Sequence, residues 1–339
     1  MTGIRAVAPP SGERTTKADI GAMTGAARGL TGRVFSRLVG ALVVLFAVVT
    51  LTFFALKLIP GDPVTAILGS SGSSPSEATV QAVRAEYGLD QPMPAQYASY
   101  LAGIVRGDLG VSYIYKTPVT KHLLPQVWPT VQLTIASILL AWGIALTLTL
   151  FTVRRGRIAD AVGRGIEVLF AAVPSFWVAL VLLVFFAFTL GWFPVAGGSD
   201  LRSLVLPALA MAIPLAGFLA QVTRESLDEA LSQPFALTAR ARGASEWRVR
   251  VVHALRHALL PGITLSGWAV GSLISGAVVA EVIFARQGLG RSLVEAIVDR
   301  DTPIVLAVVF FIGVVYIVVN LVVDLLYRLV DPRIMLKEA

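Results

Sequence analysis

The chain contains no cysteine, and that absence removes disulfides, thiolate metal sites, a catalytic thiol and lipid-modified cysteine from consideration. Charge is scarce too: 14% of residues are charged against 56% hydrophobic, and the mean hydropathy is +0.77. Soluble domains carry about 25% charged residues, so a chain this apolar belongs in a lipid bilayer. There are three histidines. His253 and His257 stand at i, i+4 on an expected helix, but Ala254 occupies the place of a zinc protease's glutamate, and His122 is expected on the opposite side of the membrane. None of the five lysines, Lys17, Lys57, Lys116, Lys121 and Lys337, follows a glycine. The Gly-Lys-Ser/Thr end of a phosphate-binding loop is therefore missing, and any ATP is expected to be hydrolysed on another subunit. A formal charge of +7 invites a nucleic-acid partner. The basic residues nevertheless lie between apolar runs instead of forming a stripe with interleaved aromatics, so no nucleic acid is expected.

What the chain does have is long apolar runs. A helix needs about 20 apolar residues, rising 1.5 Å each, to cross a hydrocarbon core about 30 Å thick. Six runs qualify: 39–59, 131–153, 168–193, 204–221, 258–280 and 303–323. The first is too long for a signal-peptide core and lacks a convincing cleavage site, so it is expected to stay as a span. Pro174, Pro207 and Pro214 are expected to kink or start their helices. The fold class is thus all-α, a polytopic membrane protein with six transmembrane helices. An even number of spans puts both termini on one side. Nineteen Lys and Arg fall on that side, in 1–37, 154–165, 224–261 and the tail, against eight on the other. Short cytoplasmic loops carry the excess of basic residues, so both termini are expected in the cytoplasm.

Outside the spans, residues 1–37 read as a largely disordered cytoplasmic arm and 335–339 as a short tail, flanking a transmembrane domain over 38–334. Residues 60–130 form the one large external segment. Gly61, Pro63 and the Gly/Ser-rich run at 69–76 mark turns there, while 76–89 and 95–105 are amphipathic enough for short helices, giving an extracytoplasmic cap between the first two spans. Residues 224–261 form a basic cytoplasmic loop with six arginines: Arg224, Arg240, Arg242, Arg248, Arg250 and Arg256. Gly243 interrupts a helical stretch there, which reads as two short helices joined at that glycine. Trp247 and Val251, at i, i+4, give the second an apolar stripe able to dock in a partner's groove.

The spacing of this loop resembles the EAA loop of ABC importer permeases: Glu-Ala-Ala, three residues, Gly, nine residues, Ile, any residue, Leu-Pro. Ala239, Gly243 and Leu255 match; Leu237, Thr238, His253 and Arg256 depart from it. The fuller wording TARARGASEWRV and HALRHALLP is similar to the dipeptide, oligopeptide and nickel branch, where such departures are usual. YGLDQPMPAQY at 87–97, GDLGVS at 107–112, AAVPSFW at 171–177, LPALAMA at 206–212, the stretch 276–305 and NLVVDLLYRLVDPRI at 320–334 resemble the same branch. The likeness covers 37–334.

That resemblance implies a permease subunit forming half of a translocation pathway in a prokaryote's cytoplasmic membrane, paired with a second similar permease. Two cytosolic ATPases, or one two-headed ATPase, carry ATP and magnesium; this chain binds no cofactor. An extracytoplasmic binding protein delivers a peptide, a nickel chelate or a related solute. The ATPase-coupling surface is expected at Thr238, Ala239, Arg240, Ala241, Arg242, Gly243, Ala244, Ser245, Glu246, Trp247, Arg250 and Val251. The pathway or subunit interface is expected at Pro174, Ser175, Gly267, Gly271, Ser275 and Glu281. Gly267, Gly271 and Ser275 recur every four residues, with Ser272 and Gly276 beside them, a spacing that lets helices approach closely. Glu281, at the outer end of its span, is read as a gate or a contact for a cationic solute, or as a solvated interfacial group. Asp324 is expected to pair with a cytosolic arginine. The rival is a self-sufficient secondary transporter, which would more often show inverted repeats and intramembrane acids; neither is evident here.

Overall fold

The computed structural model describes residues 39–59, 61–68, 76–198 and 200–330. The expectations for the arm at 1–37 and the tail at 335–339 lie outside these residues. The chain divides into two compact units; of the first only residues 39–47 are described, and 48–331 belong to the second. Twelve helices are traced among the described residues, with no strand. They are α1 (Val39–Leu58), α2 (Pro63–Leu68), α3 (Glu77–Glu86), α4 (Met93–Arg106), α5 (Val119–Thr152), α6 (Arg157–Ala172), α7 (Ser175–Thr189), α8 (Arg202–Ser232), α9 (Pro234–Ala241), α10 (Glu246–Ile283), α11 (Leu289–Val298) and α12 (Thr302–Val330).

Five of these, α1, α5, α8, α10 and α12, are long and apolar enough to cross a membrane; α6 and α7 pass that test only together. The run at 168–193 is therefore not one helix: it breaks at Pro174, a residue expected to kink or start its helix. Proline lacks an amide proton and pushes the preceding residue out of the helical region. Val173 (φ −82, ψ 127) and Pro174 (φ −63, ψ 136) are accordingly both extended, and the two limbs meet at 99°. Pro207 and Pro214, by contrast, sit inside an unbroken α8. The helices also outrun the apolar stretches: α8 continues to Ser232 and α10 begins at Glu246. Hydropathy marks where lipid contact ends, not where backbone hydrogen bonding does. At 38 residues, α10 is about 57 Å long; Val249–Ala254 within it is wound as a π-helix.

The core is built on alanine. Ala208, Ala212, Ala216 and Ala220 line one side of α8 at every fourth position and meet Ala141 and Ala145 of α5 and Ala269 and Ala277 of α10, all buried. Small side chains let these backbones close together, where van der Waals contact replaces the hydrophobic drive that lipid does not supply. Gly217 continues the theme. A Cβ there would lie 2.4 Å from the backbone nitrogen of Ala171 and 2.7 Å from the carbonyl oxygen of Glu167, so α6 crosses α8 nearly backbone to backbone.

The segment between α1 and α5 holds the short helices read from the sequence. Ser76 caps α3, its Oγ accepting from the Thr79 amide at 3.2 Å, and Gly107 ends α4 in the left-handed region at φ +76. Asp301, 1% exposed, caps α12 by accepting from the Ile304 amide at 3.4 Å and also accepts from the Ser112 hydroxyl and the Ile114 amide. The GDLGVS stretch is thereby tied to the start of the last span.

Candidate functional site

The elbow between α8 and α10 is built on a small apolar core: Leu227 and Leu231 of α8, Ala236 of α9, and Val249, Ala254 and Ala258 of α10, packed on Val153 at the end of α5. Helix α9 stops at Gly243. Its φ of +82 is the left-handed conformation that glycine adopts without strain. The Gly243 amide bonds to the Arg240 carbonyl at 2.9 Å and the Ala244 amide to the Ala239 carbonyl at 3.1 Å, the paired bonds of a Schellman C-cap. Ser245 then caps α10, accepting from the Arg248 amide at 3.3 Å. Across the joint, Arg240 Nε donates to Glu246 at 2.7 Å.

The expected coupling residues separate by exposure. Thr238, Ala241, Arg242, Gly243, Ser245, Glu246 and Trp247 are exposed; Ala239, Arg240, Ala244 and Val251 are half-buried. Arg250 is buried, its guanidinium donating to the carbonyls of Val153 and Arg154. It fastens α10 to the turn after α5 and presents nothing to a partner. Arg224 is equally withdrawn, at 4% exposure. It donates to both carboxylate oxygens of Glu167 at 2.7 and 2.8 Å, to Asp160 at 2.7 Å and to Thr152, locking α6 against α8. Two of the six arginines thus brace the fold and leave the outer face to others. Trp247 is also partly engaged, its ring 5.5 Å from Phe151 and the Arg155 guanidinium 5.7 Å above it. Leu237, 67% exposed beside Thr238 and Ala241, adds an apolar group that the motif alignment treats only as a mismatch. His257 packs 4.9 Å from Phe235.

The bend at Pro174 opens a second feature. A cavity of about 280 Å³ lies between the two limbs, α8 and α10, lined among others by Ala171, Ser175, Pro214, Phe218, Trp268 and Ser272. Trp268 is 62% exposed, and Ser272 and Ser275 are exposed on the same helix. The glycines of the expected stripe turn elsewhere. Gly267 is buried, and a Cβ on Gly271 would meet the Tyr316 ring of α12 at 2.6 Å. A four-residue repeat advances about 400° per step, so the row drifts around the helix and its members take different neighbours.

Glu281 corrects a further expectation. It is fully buried: Oε1 accepts from the Thr130 hydroxyl at 2.6 Å, Oε2 from the Arg291 amide at 3.0 Å, and the same hydroxyl accepts from the Leu289 amide at 2.8 Å. The carboxylate thus closes the first turn of α11 and is not the solvated interfacial group that its position at the span's end suggests. Asp324 lies in the described α12 backbone, but its side chain is outside the described residues.

Residues 134–336 match the family model described as binding-protein-dependent transport system inner membrane component, and 32–134 match its N-terminal companion. The chain belongs to this family. A provisionally named peptide transport system permease of Brucella abortus (strain 2308) is 37% identical over 314 residues, covering 90% of this chain and 99% of that protein. Glutathione transport system permease protein GsiC of Salmonella choleraesuis (strain SC-B67) is 35% identical over 306 residues, with 90% and 99% coverage. Among solved structures, an inward-facing methionine ABC transporter, MetNI, aligns over 62% of this chain and 96% of its own at 20% identity, with a TM-score of 0.48. The chain is therefore an inner-membrane, multi-pass transport component of that family, as its sequence motifs lead one to expect.

Proposed function

We propose that this permease forms half of an ATP-driven import pathway for peptides or peptide-like solutes, and that the elbow from α9 to the start of α10 is where ATPase motion enters it. The carrying observation is the continuity of that elbow with a span: past Gly243, no break separates Ser245 from Ile283. A short helix with exposed Leu237, Thr238, Ala241 and Arg242 is thus jointed to a rod that passes beside the cavity lined by Ser175, Trp268 and Ser272. Two ATPase subunits, or one two-headed subunit, carry ATP and magnesium, and this chain binds neither. Their closure rocks α10 and shifts the population between inward-open and outward-open states. A second permease completes the cavity, and an extracytoplasmic binding protein delivers the solute. The excess of Lys and Arg on one side supports a cytoplasmic position for both termini and the elbow, with residues 60–130 outside.

Relatives named for peptide and glutathione transport support this solute class. The test is reconstitution in proteoliposomes of the chain with its companion permease, ATPase and binding protein. Uptake of a labelled short peptide is expected only with ATP and with all components present. Concentrative uptake by the chain alone would overturn the reading in favour of a secondary transporter.

A further inference from the structure

The segment between α1 and α5, packed on the ends of α1 and α12, borders an open cavity of about 300 Å³ that shares no lining residue with the one beside α10. That volume is at the lower end of small-molecule sites, which are mostly apolar with a few converging polar groups. Here the walls are the rings of Phe53, Tyr87, Tyr100 and Tyr113, with Pro303 from the first turn of α12. Phe53 and Tyr100 stack at 5.8 Å between centroids, and Tyr87 meets Tyr113 edge to face at 5.3 Å.

Two polar groups of this segment and of α1 beside it are incompletely used. Lys57, half-buried, donates to Gln96 Oε1 at 2.5 Å and stands 5.7 Å from the Phe53 centroid. No carboxylate among the described residues lies within ion-pair distance of it. The Tyr100 hydroxyl is buried without a hydrogen-bond partner among the described residues. Burial pushes that phenol above its ordinary range and Tyr113 up to about 12, so both stay neutral. A buried donor without an acceptor is costly, and a cation drawn off bulk water favours an anion beside it. Asp108, exposed at the rim, gives one oxygen to the Gly110 amide at 2.9 Å and keeps the other for a donor.

We propose that this cavity is a binding site for a carboxylate carried on an apolar or aromatic body, such as the last residue of a short peptide. The carboxylate sits against Lys57, the body lies against the rings, and an N–H of the same molecule faces Asp108. The choice of a peptide as its source rests on the transport reading above; the binding itself does not.

The test uses the permease–ATPase assembly in neutral-lipid nanodiscs without binding protein. It is photolabelled with N-acetyl-4-azidophenylalanine in competition with N-acetyl-phenylalanine, and mass spectrometry maps the adducts. Adducts are expected within residues 87–113, suppressed by N-acetyl-phenylalanine and not by its carboxamide. Half-saturation should rise roughly tenfold in Lys57→Met, the scale of one lost charge-assisted hydrogen bond, while subunit stoichiometry is unchanged. Equal competition by the carboxamide, labelling unaffected by Lys57→Met, or adducts confined to the walls of the α10 cavity would each overturn the proposal. Labelling as expected in an assembly that takes up no peptide would keep the site and remove the peptide reading instead.

Discussion

Thr130 on α5 donates its hydroxyl proton to Glu281 on α10 across 2.6 Å, and both residues are buried. The same pair receives the amides of Leu289 and Arg291, so two spans and the short helix α11 share one polar junction. Replacing Glu281 with Leu takes the side-chain acceptor from the Arg291 amide and leaves the Thr130 hydroxyl only the Gln126 carbonyl at 3.4 Å, a loss of about 3 kcal/mol. A lower midpoint of thermal unfolding in detergent is expected, with no change in preference between cationic and neutral peptides among assembled molecules. A selective loss of cationic substrates would restore a gating role.

Gly243→Val should strike the elbow through the backbone alone. Nothing lies within 4 Å of a Cβ built there, so no clash arises, but the φ of +82 costs a branched residue about 1–3 kcal/mol. The variant should insert in the membrane and assemble normally while ATP-driven uptake falls at least tenfold. Gly243→Asn, which tolerates that conformation, should retain most activity.

Charge reversal separates docking from local bracing. Arg240 is committed to Glu246, whereas Arg242 is exposed. Arg240→Glu should weaken ATPase co-purification, and the exchange Arg240→Glu with Glu246→Arg should recover it. Arg242→Glu should weaken it with no compensating change inside this chain. Failure of the double exchange would place Arg240 itself on the partner's surface.

Arg224→Met should destabilise more than any of these. It leaves Glu167, 1% exposed, without its counter-ion, and stranding one partner of a buried pair costs about 3–5 kcal/mol. The readout is unfolding temperature, with faster proteolysis in the turn at 153–156. Equal stability would mean that water already reaches Glu167.

The lack of native cysteine makes the α10 cavity addressable by thiol chemistry. Ser272→Cys and Ser275→Cys, exposed in this chain, should react with a water-soluble maleimide in the isolated subunit, while Ser137→Cys, fully buried, should not. In the assembly, reactivity at Ser272→Cys should change on trapping the ATPase with vanadate. Constant reactivity would argue that this face does not line a moving pathway.

Much of this was legible before any coordinates, for identifiable reasons. Long apolar runs locate spans because each helix meets lipid, and Gly243 signals a joint because a left-handed cap needs it. What escaped reading depended on neighbours. Pro174, Pro207 and Pro214 look alike in sequence and a kink or start is expected at each, yet Pro174 breaks its run by 99° while Pro207 and Pro214 lie in a continuous helix. The burial of Arg224, Arg250 and Glu281 depends on carboxylates, carbonyls and amides far along the chain. The alanines 208, 212, 216 and 220 form the packing stripe that spacing alone assigns to the glycines of α10. A count of small residues at every fourth position of the fourth apolar run would have found it.

A helix about 57 Å long that turns through 10° about one end carries the other through about 10 Å. Because α10 runs from the Ser245 cap to the Glu281 junction without interruption, the pull proposed at the elbow would arrive at the far end as a stroke the size of a peptide's width. On that proposal the gearing would be set by the stiffness of one rod, and softening its π-wound section, Val249–Ala254, would lower uptake per ATP before any contact with cargo was altered.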